Sequence, residues 1–292
     1  MSMNQQSGFF ASLLLSLITI IILTGCGDII QDLQINPDGS GKLETTFDVG
    51  ELMSMTKNLG GVGGDDMSFS DDTIPDTIST KVDTLKDPMQ MIIDKVTDPA
   101  YGKDFDTIMS LVSIMPDSVK AKEPNLDLAK QLSIRLASPA NSTSLTIGLI
   151  ATFNSPQHLK EIMQYMESMD EKPEVMASAG PVGLQSKSFL IFDADMKAGL
   201  LTFDSIKYGD MVSELGMSQD STMSSEDMGM VEMMFGNSKI KSIIHVPGEV
   251  LSCSNPDAIL TKDNRVLLEY EFLDVIKKGS IPGFTIQFKP HK

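Results

Sequence analysis

IIQDLQINPDGSGKLETTFDV, residues 29–49, decides the fold. Two runs of residues flank the turn-rich stretch Asn36-Pro37-Asp38-Gly39-Ser40-Gly41. In the second run Leu43, Thr45, Phe47 and Val49 alternate with Lys42, Glu44, Thr46 and Asp48, so one face suits a core and the other suits water. Proline presets φ and Asp-Gly supplies the positive φ of a tight reversal, so the segment reads as an antiparallel hairpin. Asp-Gly-Ser-Gly lacks both the spaced carboxylates with a closing Glu of a calcium loop and the Gly-Lys-Ser/Thr of a phosphate loop. It reads as a plain turn.

The same pattern recurs outward from this hairpin. Residues 132–136 and 145–153 flank Ser138-Pro139-Ala140-Asn141-Ser142 as a second hairpin, and 189–192 with 200–203 form a third across 195–199. Further strands are expected at 240–246, 265–272 and 284–288. Ser155-Pro156 opens a helix, with Ser at the cap and Pro in the first turn where its missing N–H costs nothing. Leu159, Ile162, Met163, Met166 and Met169 share one face of it, a stripe that reads as core. Short helices are expected at 89–96 and at 105–114, where Phe105, Ile108, Met109 and Val112 recur at helical spacing. Residues 208–235 read as helical or irregular, and 59–76, LGGVGGDDMSFSDDTIPD, as a flexible Gly/Asp-rich excursion. Hairpins with single helices, lacking regular strand-helix-strand spacing, point to an α+β fold. Its sheet is mainly antiparallel and built from hairpins, with a few helices packed on one face.

The N-terminus carries the chemical signal. The uncharged run 8–23, GFFASLLLSLITIIIL, is shorter than the roughly 20 residues of a comfortable membrane span and matches the apolar core of an export signal. It ends in Leu23-Thr24-Gly25-Cys26, which resembles the bacterial lipobox, although residues 1–8 hold no Lys or Arg. The resemblance implies cleavage after Gly25, acylation of Cys26 and a mature exported domain at 26–292, with 1–25 the signal peptide; an uncleaved anchor helix is the alternative. Two or more acyl chains anchor stably where one does not. Gly27 stands where an Asp would resemble an inner-membrane retention signal, so the expected address is the outer membrane. Cys253 is then expected to be a free, buried, structural thiol.

A second resemblance lies at the two ends of the domain. The anchor cysteine, a strand, Asp-Gly-Ser-Gly and another strand resemble the opening of envelope lipoproteins. His245-Val246-Pro247-Gly248-Glu249-Val250, leading through Ser254-Asn255 to Lys262-Asp263-Asn264-Arg265-Val266, is similar to the closing Pro-Gly-x-Val segment of LppM-like bacterial lipoprotein domains. Leu267 and Leu268 stand where that pattern carries an aromatic residue. The resemblance implies an antiparallel α+β envelope module and supplies no catalytic residues.

The formal charge of -17 disfavours nucleic acid, which needs basic patches. With 21 Met and no Trp in the chain, the core is expected to be soft. His158, His245 and His291 fall in no metal or triad spacing, and Cys253 has no local cue for an activated thiolate, so no catalytic residue, metal or cofactor is assigned. Asp193 and Asp195 read as surface near a turn, and Asp65, Asp66, Asp71 and Asp72 as solvated, with weak calcium binding the sharper alternative. Met211, Met217, Met223, Met228, Met230, Met233 and Met234 crowd residues 211–234; an adaptable apolar surface is favoured over a Cu(I) site. Asp-Ser/Thr-apolar triplets recur where composition predicts roughly two. They resemble the acceptor pattern of a bacterial envelope O-glycosylation system, with Thr73, Thr77, Thr84, Thr107, Ser118, Ser205 and Ser221 as candidate acceptors, while Asp and Thr also start helices. The expected function is that of a lipid-anchored cell-envelope lipoprotein acting as a binding or structural module of unspecified activity, with the membrane as partner through its anchor and an envelope protein or a hydrophobic ligand as the candidate further partner. A carrier of a hydrophobic lipid or peptide is the alternative, and a hydrolase is the less favoured third reading.

Overall fold

The computed structural model describes residues 27–48, 104–115, 117–139, 144–170, 190–207, 236 and 238–290. The first hairpin forms as expected, with β1 (Ile29–Ile35) antiparallel to β2 (Gly41–Asp48) from Ile29 opposite Phe47 to Ile35 opposite Gly41. Gly39 adopts φ 84° in the turn, a conformation glycine accepts without strain. Asp38 Oδ1 accepts from the Ser40 amide at 3.0 Å and its hydroxyl at 2.6 Å. Its carboxyl, held below the usual range by these bonds, serves the turn itself.

The second hairpin is β4 (Leu132–Ser138) with β5 (Thr146–Phe153), and β5 also pairs antiparallel with β2. On the far side of β1 lies β9 (Lys239–His245), then β12 (Arg265–Glu271) and the short β11 (Ile259–Leu260). With β3 (Phe105–Ser110) beside β4, they form an eight-stranded sheet ordered β11-β12-β9-β1-β2-β5-β4-β3. The β1–β9 pair is parallel, with Ile29 opposite Ile240. The sheet is therefore mixed, and mainly antiparallel. A four-stranded sheet follows the order β10 (Gly248–Cys253), β14 (Phe284–Pro290), β7 (Leu200–Phe203), β6 (Phe192–Asp195). β8 (Ile206–Lys207) pairs with β13 (Ser280–Ile281).

Alternation turns Leu33, Leu43, Ile134, Leu149, Ile244 and Val266 of the large sheet into the core. The small sheet contributes Phe192, Leu201, Phe203, Ile286 and Phe288, and one apolar cluster joins both. Phe203 stacks on Phe192 and on Phe284, and Phe153 meets Phe192 edge-on with centroids 6.0 Å apart, which links the sheets. The long helix spans Pro156–Asp170. Ser155 Oγ accepts from the His158 amide at 3.1 Å, and His158 Nδ1 accepts from the Asn154 amide at 3.2 Å, so the histidine completes a reciprocal cap. Leu159, Ile162, Met163, Met166 and Met169 are all buried, the stripe expected from sequence.

Two polar features cross the large sheet. On the inner face, Gln31, Thr45 and Ser242 are buried in one row; Ser242 Oγ lies 3.3 Å from Gln31 Oε1, and Thr45 Oγ1 has no hydrogen-bond partner among the described residues. On the outer face Arg135 reaches Glu44 Oε1 at 2.8 Å and Asp106 at 2.8 and 2.6 Å. Gly148 lies between Arg135 and Thr46 in the register, and a Cβ there would stand 3.1 Å from Thr46 and 3.2 Å from Arg135. The missing side chain lets Arg135 lie across β5 to reach β2. Burial alone would raise the Glu44 carboxyl, but hydrogen bonds from Arg135 and Lys42 outweigh it and hold the group below its usual range.

Several expectations are corrected. Residues 105–110 are strand rather than helix, and only Leu111–Ile114, α1, is helical. Pairing with β4 and the Asp106–Arg135 contact prevail over a helical spacing that also fits alternation. Short helices α2 (Asp117–Lys120) and α3 (Leu126–Ala129) precede β4, and the long helix is α4. The third hairpin runs from Phe192 opposite Phe203 to Asp195 opposite Leu200, so its first strand lies later than 189–192. The β12 strand stops at Glu271, and Phe272 opens α5 (Phe272–Lys278). The β10 strand follows Pro247 directly and was not anticipated. The expected helix at 89–96, the 59–76 excursion and most of 208–235 lie outside the described residues. Among the described residues no helix is long and apolar enough to cross a membrane.

Candidate functional site

The start of β1 defines one end of the large sheet. Register places Ile29 level with Phe47, Ile240 and Tyr270, so Asp48, Lys239 and Glu271 lie at this end as well. Asp28, two residues after Cys26, is fixed here. Its Oδ1 accepts from the Lys239 amide at 3.0 Å and its Oδ2 from Lys241 Nζ. Lys239 Nζ then donates to Glu269 at 2.6 Å and lies 3.6 Å from Glu271, and the Glu269 partner above all holds its ammonium above the usual range.

Glu269 and Glu271 border a cleft of about 600 Å³, which also takes in Asn255, Asp257, Tyr270, Asp274 and Lys278. Tyr270 is the penultimate residue of β12, α5 follows that strand, and the segment after β10 closes the opposite wall. Asn255 is buried and organises that wall: its Oδ1 accepts from the Asp257 amide at 3.0 Å, and its Nδ2 donates to the Tyr270 hydroxyl at 2.7 Å. Because the Tyr270 oxygen accepts from Asn255, its own proton is available to a ligand acceptor. Burial pushes the phenol up, which keeps that proton in place at neutral pH. Four lining carboxylates, Asp257, Glu269, Glu271 and Asp274, face one lining ammonium, Lys278, itself 4.0 Å from Asp274. The arrangement suits a cationic group with a neighbouring oxygen acceptor.

Cys253 lies at the end of β10 beside this wall and is half-buried, where a buried thiol was expected. Burial pushes its thiol up, away from the thiolate that nucleophilic attack or metal binding requires. His245 sits at the other end of the sheet, 3.4 Å from Asp32, and His158 caps α4. Asp193 pairs with Lys160 at 2.8 Å, and Asp195 accepts from the amides of Lys197 and Ala198 in its turn. Among the described residues no group of three or more His, Cys, Asp or Glu is arranged to hold a metal ion.

Of the candidate acceptors, Thr107 is exposed on the edge strand β3, Ser118 lies in α2, and the Ser205 hydroxyl donates to the Ile281 carbonyl at 3.0 Å. Thr107 therefore lies within a strand and starts no helix. Gly25, Cys26, Thr73, Thr77, Thr84, Ser221, His291, the acidic quartet at 65–72 and the Met cluster at 211–234 lie outside the described residues. Sequence reading missed Tyr270, Asn255 and the carboxylates around them. The Ser-Asn-Pro-Asp run at 254–257 is the one signal that could have marked that wall as a built turn.

No protein-family model and no curated protein matches this chain. Among solved structures, it is similar to the folded domain of the LppM protein of Mycobacterium tuberculosis, determined by NMR. That likeness has a TM-score of 0.31 and 8% identity over 92% of this chain and 93% of the other.

Proposed function

We propose that the protein is a lipid-anchored module of the bacterial envelope, acylated on Cys26 after cleavage behind Gly25, whose cleft binds a ligand bearing a cationic group. The observation that carries the binding reading is the cleft lining, which holds the Tyr270 hydroxyl and four carboxylates, Glu269 and Glu271 shared with Lys239, and Asp257 and Asp274 facing only Lys278, at 4.0 Å from Asp274. A cysteine-nucleophile hydrolase is disfavoured, because the neighbouring Cys253 thiol is raised by burial. The address proposed is the outer membrane, since Gly27 rather than Asp follows Cys26.

Calorimetric titration of the acylated protein in detergent with a lysine-containing tripeptide and with ethanolamine phosphate tests this. Saturable binding is expected, lost on N-acetylation of the amine and weakened at least tenfold in Asp257→Asn/Asp274→Asn. Equal response to the acetylated probe overturns the assignment. A second reading, a carrier of hydrophobic ligand, draws on Leu251, Ile259 and Leu260, which are exposed on the neighbouring strands β10 and β11. Lipid co-purifying from native membranes in stoichiometric amount would favour it. Glycosylation of Thr107 is a further part of the proposal, supported by its exposure on the edge strand.

A further inference from the structure

The described fold begins immediately after the proposed acylation site. Gly27 packs so closely on the end of β2 that a Cβ there would overlap Asp48 Cβ and stand 3.0 Å from the Asp48 carbonyl oxygen. Asp28 is held by the Lys239 amide and the Lys241 ammonium, and β1 starts at the next residue. Two Cα steps therefore separate Cys26 from a residue bonded into β9, a span of at most about 7 Å. A Gly/Ser tether of ten residues would spread over roughly 18 Å instead.

We propose that the acyl chains are attached to the folded domain without a flexible tether, so the β1-start end of the sheet is held against the bilayer headgroups. This inference rests on Cys26 acylation and goes beyond it, because acylation alone sets no orientation. Three consequences follow from the register. The Tyr270 cleft, two strands from β1, lies roughly 10 Å to the side of the attachment point and at headgroup level. Its ligand is then met at the membrane surface, whether as a lipid headgroup or as a free amine. The Asn36–Ser40 turn lies roughly 20 Å farther out, at the other end of a seven-residue strand. The turn at Asp263 and Asn264 shares that outer end, since Arg265 pairs with His245 and His245 with Gln34.

The orientation is read by quenching. A fluorophore is placed at Asp274→Cys or at Asp263→Cys in a Cys253→Ser background, and the acylated protein is reconstituted in vesicles of phosphatidylethanolamine with headgroup spin-labelled lipid. Both positions are solvent-exposed, so labelling leaves the core intact. Quenching at 274 is expected to exceed that at 263 at least threefold, and ten Gly/Ser residues inserted between Cys26 and Gly27 should bring the ratio toward one. Labels at Lys277→Cys and Lys262→Cys repeat the comparison should either first variant misfold. Intact mass is measured on the same preparation. A chain without acyl groups overturns the anchor reading and this inference with it. An acylated chain with a ratio near one, or a ratio that the inserted linker leaves unchanged, overturns the orientation alone. Ethanolamine phosphate titrated into acylated protein that keeps Asp274 distinguishes the ligand sources: affinity in phosphatidylethanolamine vesicles equal to that in detergent points to a free amine, and affinity suppressed by the vesicles points to the lipid headgroup.

Discussion

Replacing Arg135 by Met should destabilise the domain in a pH-dependent way. Arg135 joins three strands, donating to Glu44 on β2 and Asp106 on β3 from its place on β4. The Glu44 side chain is only 10% exposed, so its carboxylate depends on those donors. A hydrogen bond to a charged group contributes about 1.5–3 kcal/mol. Lys42 stays at 3.0 Å from Glu44 and softens the loss, so we expect about 2 kcal/mol at pH 7. The Asp106 pair is open to water and is left out of that figure. Glu44 is depressed below its ordinary 4.5 in the folded protein, so its contribution is complete above pH 4.5 and disappears as pH falls through the lowered folded value. The deficit of Arg135→Met should therefore shrink between pH 5 and pH 3. Urea unfolding of residues 27–292, followed by circular dichroism at pH 7 and pH 3, measures it, and Arg135→Met/Glu44→Gln should recover most of the loss. A deficit under about 0.5 kcal/mol at pH 7, or one that grows on acidification, would refute the reasoning.

Other expectations follow from single groups. Thr45→Val removes a buried hydroxyl with no partner and should stabilise by up to about 1 kcal/mol in the same urea assay; a loss above 1 kcal/mol would show that the hydroxyl has a structural role. Tyr165, whose buried hydroxyl has no partner among the described residues and whose pKa is pushed up to about 12, first by burial and then by the Glu123 charge, should tolerate Phe without loss. Met163→Ala should cost about 2–5 kcal/mol, because Met163 is 1% exposed beneath α4. Alkylation of Cys253 at pH 8 should run slower than that of free cysteine and accelerate with pH, and a full rate at pH 7 would place the thiol elsewhere.

Local chemistry made the hairpins legible. Asn36-Pro37-Asp38-Gly39 and Asp195-Met196-Lys197-Ala198-Gly199 carry their reversals in their own side chains and in the positive φ of Gly39 and Gly199. The α4 helix was legible because Ser155-Pro156 and a five-residue apolar stripe agree. The parallel partner of β1 was not, since β9 lies more than two hundred residues away and no local feature encodes that pairing. Residues 105–110 fit two periods at once, and β4 decided between them. The division into two sheets was hidden for the same reason: alternation shows which side chains face a core, but not which sheet supplies it. The cleft was less legible still. Tyr270 and Asn255 lie fifteen residues apart and meet only through the turn into β12, while Glu269 beside them is paired by Lys239 from another strand. Cys26, by contrast, is read from neighbours in sequence alone.

The proposed anchor is a set of acyl chains on Cys26 that holds the domain at the envelope. It is tested most directly by top-down mass spectrometry of the protein isolated from native membranes. The expected species begins at Cys26 and carries a thioether-linked diacylglyceryl group. A chain that retains residues 1–25, or one whose Cys26 is unmodified, would contradict it.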